Sequence, residues 1–131
     1  MKFSTPLKFN YEFTRIYRRG KYISGRYVVL HYISRPGQIN RIGVTTSKTI
    51  GGSVQRNRMR RLLRESYRLN ETSLRKGYDI ILLGRGGAPR ITYSQVNKEV
   101  LHAMKKAGIL CENRDEPVSN ANKVGKPEGN V

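Results

Sequence analysis

The segment SVQRNRMRRLLRESYRL, residues 53–69, decides the fold, because a run of helical length carries six arginines and one acid, Glu65. Wound at about 100° per residue, the segment sorts into an apolar face and a basic face. The face predicted to pack on the core carries Gln55, Met59, Leu62, Leu63, Ser66 and Leu69. The opposite face carries Asn57, Arg60, Arg61, Arg64 and Arg68, with Arg56 and Arg58 at the edges of the apolar side.

The shortage of acids on this helix indicates a partner of opposite charge. A helix face that is merely solvated usually mixes the two signs and gains i,i+4 ion pairs, whereas this face accumulates like-charge repulsion. Arginine presents a planar fork of donors that fits the oxygens of a phosphate group. We therefore expect the basic face to bind a polyanion.

The charge of the whole chain supports the same expectation. Its 131 residues include 26 Lys and Arg against 9 Asp and Glu, which gives a formal net charge of +17. Residues 112–131 hold four of the acids and three of the bases, so the positive excess belongs to the first 111 residues. Nucleic acid is the usual partner of a domain with this charge.

Cysteine content and hydropathy bear on the compartment. The single cysteine, Cys111, excludes an intramolecular disulfide and a thiolate metal cluster. The opening residues MKFSTPLKFNY lack the apolar run of a secretory signal peptide. No segment reaches the roughly 20 apolar residues of a membrane span. We expect a cytoplasmic protein without membrane association.

Composition divides the chain into three parts. Residues 1–9 form a basic N-terminal lead, residues 10–111 form one folded domain, and residues 112–131 form a polar, disordered tail rich in Asn, Gly and Pro. At the start of the domain, Asn10 is predicted to cap a helix that ends at Gly20.

Two strands are predicted between this helix and the arginine helix. The first covers residues 21–33 and the second covers residues 40–46, and they are antiparallel if a hairpin joins them. Residues 47–52 then lead to Ser53, the predicted N-cap of the arginine helix, which ends near Asn70.

A strand and a helix follow. The continuous apolar run YDIILL, residues 78–83, predicts a buried central strand. Thr92 and Gln95 form a predicted capping box, and Ile91 with Val96 a hydrophobic staple, for a helix over residues 93–107. Helix and strand patterns in this order predict an α+β fold in which one sheet packs on helices.

The titratable side chains are not arranged for catalysis. The five acids before the tail are scattered over different elements and form no pair with acid–base or two-metal spacing. They are Glu12, Glu65, Glu71, Asp79 and Glu99. The two histidines, His31 and His102, lack a neighbouring ligand pattern for zinc. We predict no catalytic residue and no metal ligand in this chain.

The aromatic residues suggest a second binding surface. Phe13 and Tyr17 lie four residues apart on the first predicted helix, and Tyr27 and His31 share one face of the first predicted strand. Such rings stack on unpaired bases. The alternative, that Phe13 and Tyr17 simply fill the core, stays open at this point.

The run QRNRMRRLLRE, residues 55–65, resembles the arginine–asparagine–arginine signature of the bacterial ribonuclease P protein subunit. Residues 43–54 are similar to the family's strand and loop before that helix, and the first helix, the later apolar strand and the closing helix also fit. The resemblance covers about residues 8–108 and leaves out the tail.

This resemblance implies a fold and a role. The fold is an α/β sandwich in the order α-β-β-(β)-α-β-α, with a left-handed β-α-β crossover, contrary to the usual hand. The role is to assist a catalytic RNA, expected in a one-to-one complex, in removing the 5′ leader of precursor tRNA. Magnesium ions are expected to be held mainly by that RNA. No protein partner is predicted.

The resemblance also assigns residues. The set expected to contact the RNA subunit consists of Lys48, Arg56, Asn57, Arg58, Arg60, Arg61, Arg64 and Arg68. The cleft expected to hold the leader consists of Phe13, Tyr17 and His31. His31 stands where the family often has tyrosine, and Tyr17 where it often has phenylalanine.

Other functions are compatible with parts of this pattern. A ribosomal-type structural RNA-binding protein would share the charge and the topology but would have no affinity that depends on a leader. A stand-alone metal nuclease would need grouped acids, and these are scattered. A helix-turn-helix DNA-binding protein is disfavoured, because strands flank the basic helix where a helix pair is required.

Overall fold

The computed structural model describes residues 3–86 and 91–111, so the predicted tail lies outside the described residues. The strands are β1 (Ser4–Pro6), β2 (Lys21–Ser24), β3 (Val28–Ser34), β4 (Asn40–Thr46) and β5 (Tyr78–Gly84). The α-helices are α1 (Asn10–Arg19), α2 (Ser53–Asn70) and α3 (Tyr93–Ala107). None of the helices in this part of the chain is long and apolar enough to cross a membrane.

The strands form one mixed sheet in the order β1-β4-β5-β3-β2. The pairs β1–β4 and β4–β5 are parallel, whereas β3–β5 and β2–β3 are antiparallel. Strand β5 is central and almost entirely buried, as its unbroken apolar run predicts. The predicted α+β class is confirmed.

Alternating side chains give each face of the sheet its own helices. Leu30, Ile80 and Leu82 point to the face covered by α2 and α3, where they join the main core. Ile81 points to the other face, where it packs with Ile16 of α1 in a smaller cluster. The sheet therefore separates a layer that contains the arginine helix from a layer that contains α1.

Pairing in the sheet differs from the prediction in three respects. The single strand predicted over residues 21–33 is a hairpin, β2 and β3, which pair antiparallel. Residues 4–6, predicted as part of a lead, form β1 alongside β4. Strand β4 pairs with β1 and β5 and not with β3, so no hairpin joins the first two predicted strands and the condition for their antiparallel pairing is not met.

Helix α2 connects two neighbouring parallel strands, β4 and β5, as a β-α-β crossover. Parallel strands need such a long connection, because the chain must return to the same end of the sheet. The crossover is present, as the resemblance implies, and its left-handedness stays a prediction.

The helix ends follow local chemistry with two changes from the prediction. Thr92 caps α3, where its side chain accepts from the Gln95 backbone N–H at 3.2 Å. Asn10 is the first residue of α1 instead of its cap, and the Glu12 carboxylate accepts from the Lys8 and Phe9 N–H groups. Those two hydrogen bonds are the main cause of the lowered pKa of Glu12. Gly52, rather than Ser53, is the N-cap of α2.

A buried carboxylate joins α1 to the sheet. Asp79 of β5 is fully buried and accepts two hydrogen bonds from the Arg41 guanidinium of β4, at 2.8 and 2.7 Å. Arg15 of α1 lies 3.3 Å from the same carboxylate, and Arg35, which follows β3, lies 3.2 Å away. Glu12 of α1 pairs with Arg41 from the other side. This cluster ties α1 to three strands.

Replacing the central carboxylate should weaken the whole fold. We expect Asp79→Asn to lower the free energy of unfolding by about 3 kcal/mol at neutral pH, because three guanidiniums would lose their common counter-charge. Urea denaturation followed by circular dichroism measures this loss. Glu65→Gln, which breaks an exposed pair, serves as control and should leave the midpoint unchanged. An unchanged urea midpoint for Asp79→Asn would show that this ion-pair cluster does not hold α1 on the sheet.

Candidate nucleic-acid interface

The side of α2 that packs on the core determines which way the arginines of the helix point. Met59, Leu63, Ser66 and Tyr67 are buried against the sheet and α3. The Tyr67 hydroxyl lies 2.6 Å from Ser4 Oγ of β1, which gives its polar end a partner inside the core. The helix is thus rotated toward Tyr67 relative to the prediction. Gln55 and Leu69, predicted to face the core, are exposed.

The outward face of α2 carries exposed guanidiniums. Arg61, Arg64 and Arg68 are exposed, and Arg68 donates to the Glu65 carboxylate at 2.8 Å. That hydrogen bond lowers the pKa of Glu65. Over residues 3–86 and 91–111, neither Arg61 nor Arg64 has a carboxylate within ion-pair distance. The predicted exposure of this face is confirmed for Arg61, Arg64 and Arg68, whereas Arg60 is half-buried. Most of the charge on the face has no counter-charge within the described protein.

One edge of α2 is held against β4. The Arg60 guanidinium donates to Thr46 Oγ1 at 3.2 Å and also to the Asn57 side-chain oxygen. The Arg56 guanidinium donates to the Gly51 carbonyl at 2.5 Å. These hydrogen bonds restrict side chains that would otherwise be free, so part of the ordering cost of binding is already met in the free protein.

The other edge of α2 faces the loop after β5. Arg58 and Arg85 line a small cavity there, beside Met59 and Ile91. The loop lies close to the 3-10 helix Lys48–Ile50, since the Gly86 N–H donates to Thr49 Oγ1 at 3.3 Å. Lys48 is exposed on that helix.

Arg85 is a basic residue of this region that sequence reasoning missed. Its guanidinium donates to Ser24 Oγ at 3.0 Å and to the Gly25 carbonyl, so it also joins the hairpin β2–β3 to the loop. The β-α-β crossover that the resemblance implies could have pointed to it, because parallel pairing of β4 and β5 brings the loops after both strands to one end of the sheet. We define the basic surface as the predicted RNA-subunit set together with Arg85.

An aromatic cluster lies on the opposite face of the sheet, beside α1. The rings of Tyr17 and His31 meet edge to face, with centroids 4.8 Å apart. Tyr17 is 44% exposed and His31 is half-buried. Burial lowers the pKa of His31 and raises the pKa of Tyr17, so both rings are neutral at neutral pH. Neutral rings of this kind can stack on bases.

Phe13 has a different position from Tyr17. It is half-buried and packs on the cluster of Leu7, Ile16 and Ile81. Its ring also covers Gly43 of β4, where an added Cβ would lie 2.7 Å from two ring atoms. The structure therefore favours the alternative that Phe13 fills the core. Its contact with a leader stays a prediction.

The basic surface approaches the α1 face of the sheet at one edge. Strand β1 pairs with β4 only at residues 40–42, so in the described chain no strand covers the outer edge of β4 from residue 43 to 46. Arg60 lies at the end of that edge through Thr46, and Phe13 lies over Gly43. A bound molecule that passes this edge can contact Arg60 and the ring of Phe13, whereas Tyr17 and His31 lie farther across the sheet, over β3.

The acids of the described residues all have structural partners. Glu99 accepts from the Tyr27 and Val28 N–H groups at 2.9 and 3.0 Å, and Glu71 accepts from the Phe3 N–H at 3.1 Å. Glu12 and Asp79 are held by arginines, and Glu65 by Arg68. Within residues 3–86 and 91–111, no three His, Cys, Asp or Glu side chains stand close enough to share a metal ion. This donor set does not fit a magnesium ion bound by the protein alone.

Comparison with known proteins identifies the family. The family model described as Ribonuclease P matches residues 1–108. The ribonuclease P protein component of Natranaerobius thermophilus is 42% identical over 107 residues, which cover 82% of this chain and 93% of that protein.

Two solved structures share the fold. An RNase P protein mutant from Staphylococcus aureus has a TM-score of 0.72 at 28% identity, covering 80% of this chain and 89% of its own. The RNase P protein from Thermotoga maritima has a TM-score of 0.67 at 25% identity, covering 74% of this chain and 92% of its own. The chain belongs to the ribonuclease P protein family.

Proposed function

We propose that this chain is the RNA-binding protein subunit of ribonuclease P and assists removal of the 5′ leader from precursor tRNA. The observation that carries the proposal is the outward face of α2, where Arg61 and Arg64 have no carboxylate partner in the described protein. An arginine face without internal counter-charge suits the phosphates of a folded RNA.

The basic surface would bind the RNA subunit. Arg61 and Arg64 would form bidentate contacts with phosphate, and Arg68 would do so by exchanging the Glu65 carboxylate for a phosphate. Arg56 and Arg60 are already oriented by hydrogen bonds to Gly51, Thr46 and Asn57. Lys48, Arg58 and Arg85 extend the positive region past the N-terminal end of α2. We propose a one-to-one complex.

The aromatic cluster would hold the leader. A single strand leaving the RNA subunit at the β4 edge reaches Tyr17 and His31, whose neutral rings offer stacking without base-specific hydrogen bonds. Phe13 would contact the leader with the part of its ring that stays accessible. Positioning the leader in this way raises the effective concentration of the scissile bond at the catalytic RNA.

The chain would contribute no catalytic group. Every acid of the described residues is held by an arginine or by backbone N–H groups, and such carboxylates are poorly placed to act as bases or metal ligands. We propose that magnesium ions are held mainly by the RNA, and that the protein works in the cytoplasm.

Binding of the RNA subunit should depend steeply on salt. If about six phosphate contacts form, the log–log slope of affinity against salt should have a magnitude of roughly 4–5. Replacing Arg61 and Arg64 together by Ala should reduce that magnitude by about 2, because each lost contact releases one counterion fewer. Filter binding at several salt concentrations measures both slopes.

The matched control for this pair is Lys105→Ala with Lys106→Ala, which removes two exposed charges from the end of α3. We expect the control to keep the original slope, and both double variants to keep a native circular dichroism spectrum. Equal slopes for the arginine variant and the unsubstituted protein would contradict the assigned face.

Reconstitution tests the function itself. The protein, a bacterial ribonuclease P RNA and precursor tRNA are mixed at low magnesium, where charge screening by the protein matters most. We expect 5′ processing that requires both the RNA and the protein. Cleavage by the protein with magnesium alone would favour a nuclease. RNA binding with no effect on processing would favour a ribosomal-type structural protein.

A further inference from the structure

Tyr22 has no assigned role, yet its ring lies beside the aromatic cluster. It sits on β2, directly opposite His31 in the antiparallel pairing of β2 and β3. The two ring centroids are 5.8 Å apart with an interplanar angle of 34°. Tyr22 is 65% exposed, more than Tyr17. His31 therefore lies between two tyrosines that come from different elements.

These rings follow one line across the sheet. Phe13 lies over β4, Tyr17 and His31 meet over β3, and Tyr22 stands on β2, the edge strand. Helix α1 leads into β2 through Gly20, where an added Cβ would lie 2.5 Å from the Tyr32 carbonyl oxygen. This close approach of α1 to β3 allows a helix residue and a hairpin residue to share His31.

An exposed tyrosine on an edge strand needs no binding role by itself. Three features set Tyr22 apart: its ring packs on a predicted leader contact, it faces the same side of the sheet as α1, and it leaves most of its surface accessible. Phe13, by contrast, is used by the core. The accessible aromatic surface is thus displaced toward β2.

We infer that Tyr22 is a third stacking residue of the leader cleft, and that it takes the base of a nucleotide farther from the RNA subunit than the one on Tyr17. The inference rests on the proposed function. Arg85 of the basic surface also reaches β2 at Ser24, so the order applies to a leader that enters at the β4 edge, where Arg60 adjoins Thr46 and β2 is the opposite edge strand. A leader that enters past β4 reaches Tyr22 last.

The chemistry of the site predicts its preference. Stacking on a tyrosine ring tolerates any base and strengthens with the area of the base, so a purine at this nucleotide should bind more tightly than a pyrimidine. The benefit should exist only for leaders long enough to cross the cleft.

Leader length provides the test. The reconstituted complex of protein and RNA subunit is titrated with precursor tRNAs whose leaders grow by one nucleotide at a time. We expect the affinity for precursor tRNA to rise each time the leader gains a nucleotide that stacks on an aromatic ring. In Tyr22→Leu, the last of these increases should be missing. For leaders beyond that step, Tyr22→Leu should bind about tenfold more weakly, and for short leaders it should equal the unsubstituted protein.

Two further variants complete the design. Tyr22→Phe keeps an aromatic ring at this position, so the last increase in affinity should be retained. Tyr11→Leu removes another exposed tyrosine of the same region, one that stacks on Phe9 with centroids 5.5 Å apart, and should leave the whole series unchanged. Circular dichroism verifies that each variant is folded.

The outcomes separate the inference from the proposed function. If the unsubstituted protein shows no dependence on leader length, the proposed leader cleft is wrong. If the affinity of the unsubstituted protein rises with leader length and Tyr22→Leu gives the same affinities at every length, the proposed leader cleft is supported and the role of Tyr22 is refuted. A uniform loss for all leader lengths would also refute it, since a stacking contact acts only when the nucleotide is present.

Discussion

The ion-pair cluster around Asp79 is the interaction on which the arrangement of the two surfaces depends. Asp79 stands on the central strand and holds arginines from α1, from the segment after β3 and from β4. Without this counter-charge the three guanidiniums would repel one another at the place where α1 must lie on the sheet. The position of α1 in turn places Tyr17 over His31. A buried carboxylate far from the basic surface thus shapes the aromatic cleft.

Most acids of the described residues hold parts of the fold together, and this explains why the outer surface is strongly positive. Glu12 and Asp79 hold arginines of the fold, while Glu71 and Glu99 accept backbone N–H groups. Only Glu65, among the acids of the described residues, faces the outward side of α2. The repulsion along that helix is offset by the burial of Met59, Leu63 and Tyr67. The protein thereby keeps a cationic face that a folded RNA can neutralise.

In a member of the ribonuclease P protein family, the two surfaces have complementary physical properties. In the proposed complex, the basic surface would act through charge and be sensitive to salt, whereas the aromatic cluster would act through stacking and tolerate any sequence. The uncovered part of the β4 edge lies between Arg60 of the basic surface and the face of the sheet that carries the aromatic cluster, so one RNA assembly can reach both from that edge. The hairpin β2–β3 adds Tyr22 at the far side, which the family signature in α2 gives no reason to expect.

The sequence by itself determined whatever depends on neighbouring residues: the bounds of β4 and α3, those of β5 to within one residue, the Thr92 cap, and the outward face of α2. Periodicity and capping act within a few residues, so they can be read locally. Only the tertiary structure decided the pairing of β4 with β1, the burial of Tyr67, and the positions of Arg85 and Tyr22. Each of these depends on contacts between residues far apart in the chain. Local patterns state which residues are apolar or charged, but the partner across the sheet is chosen by the packing of the whole core.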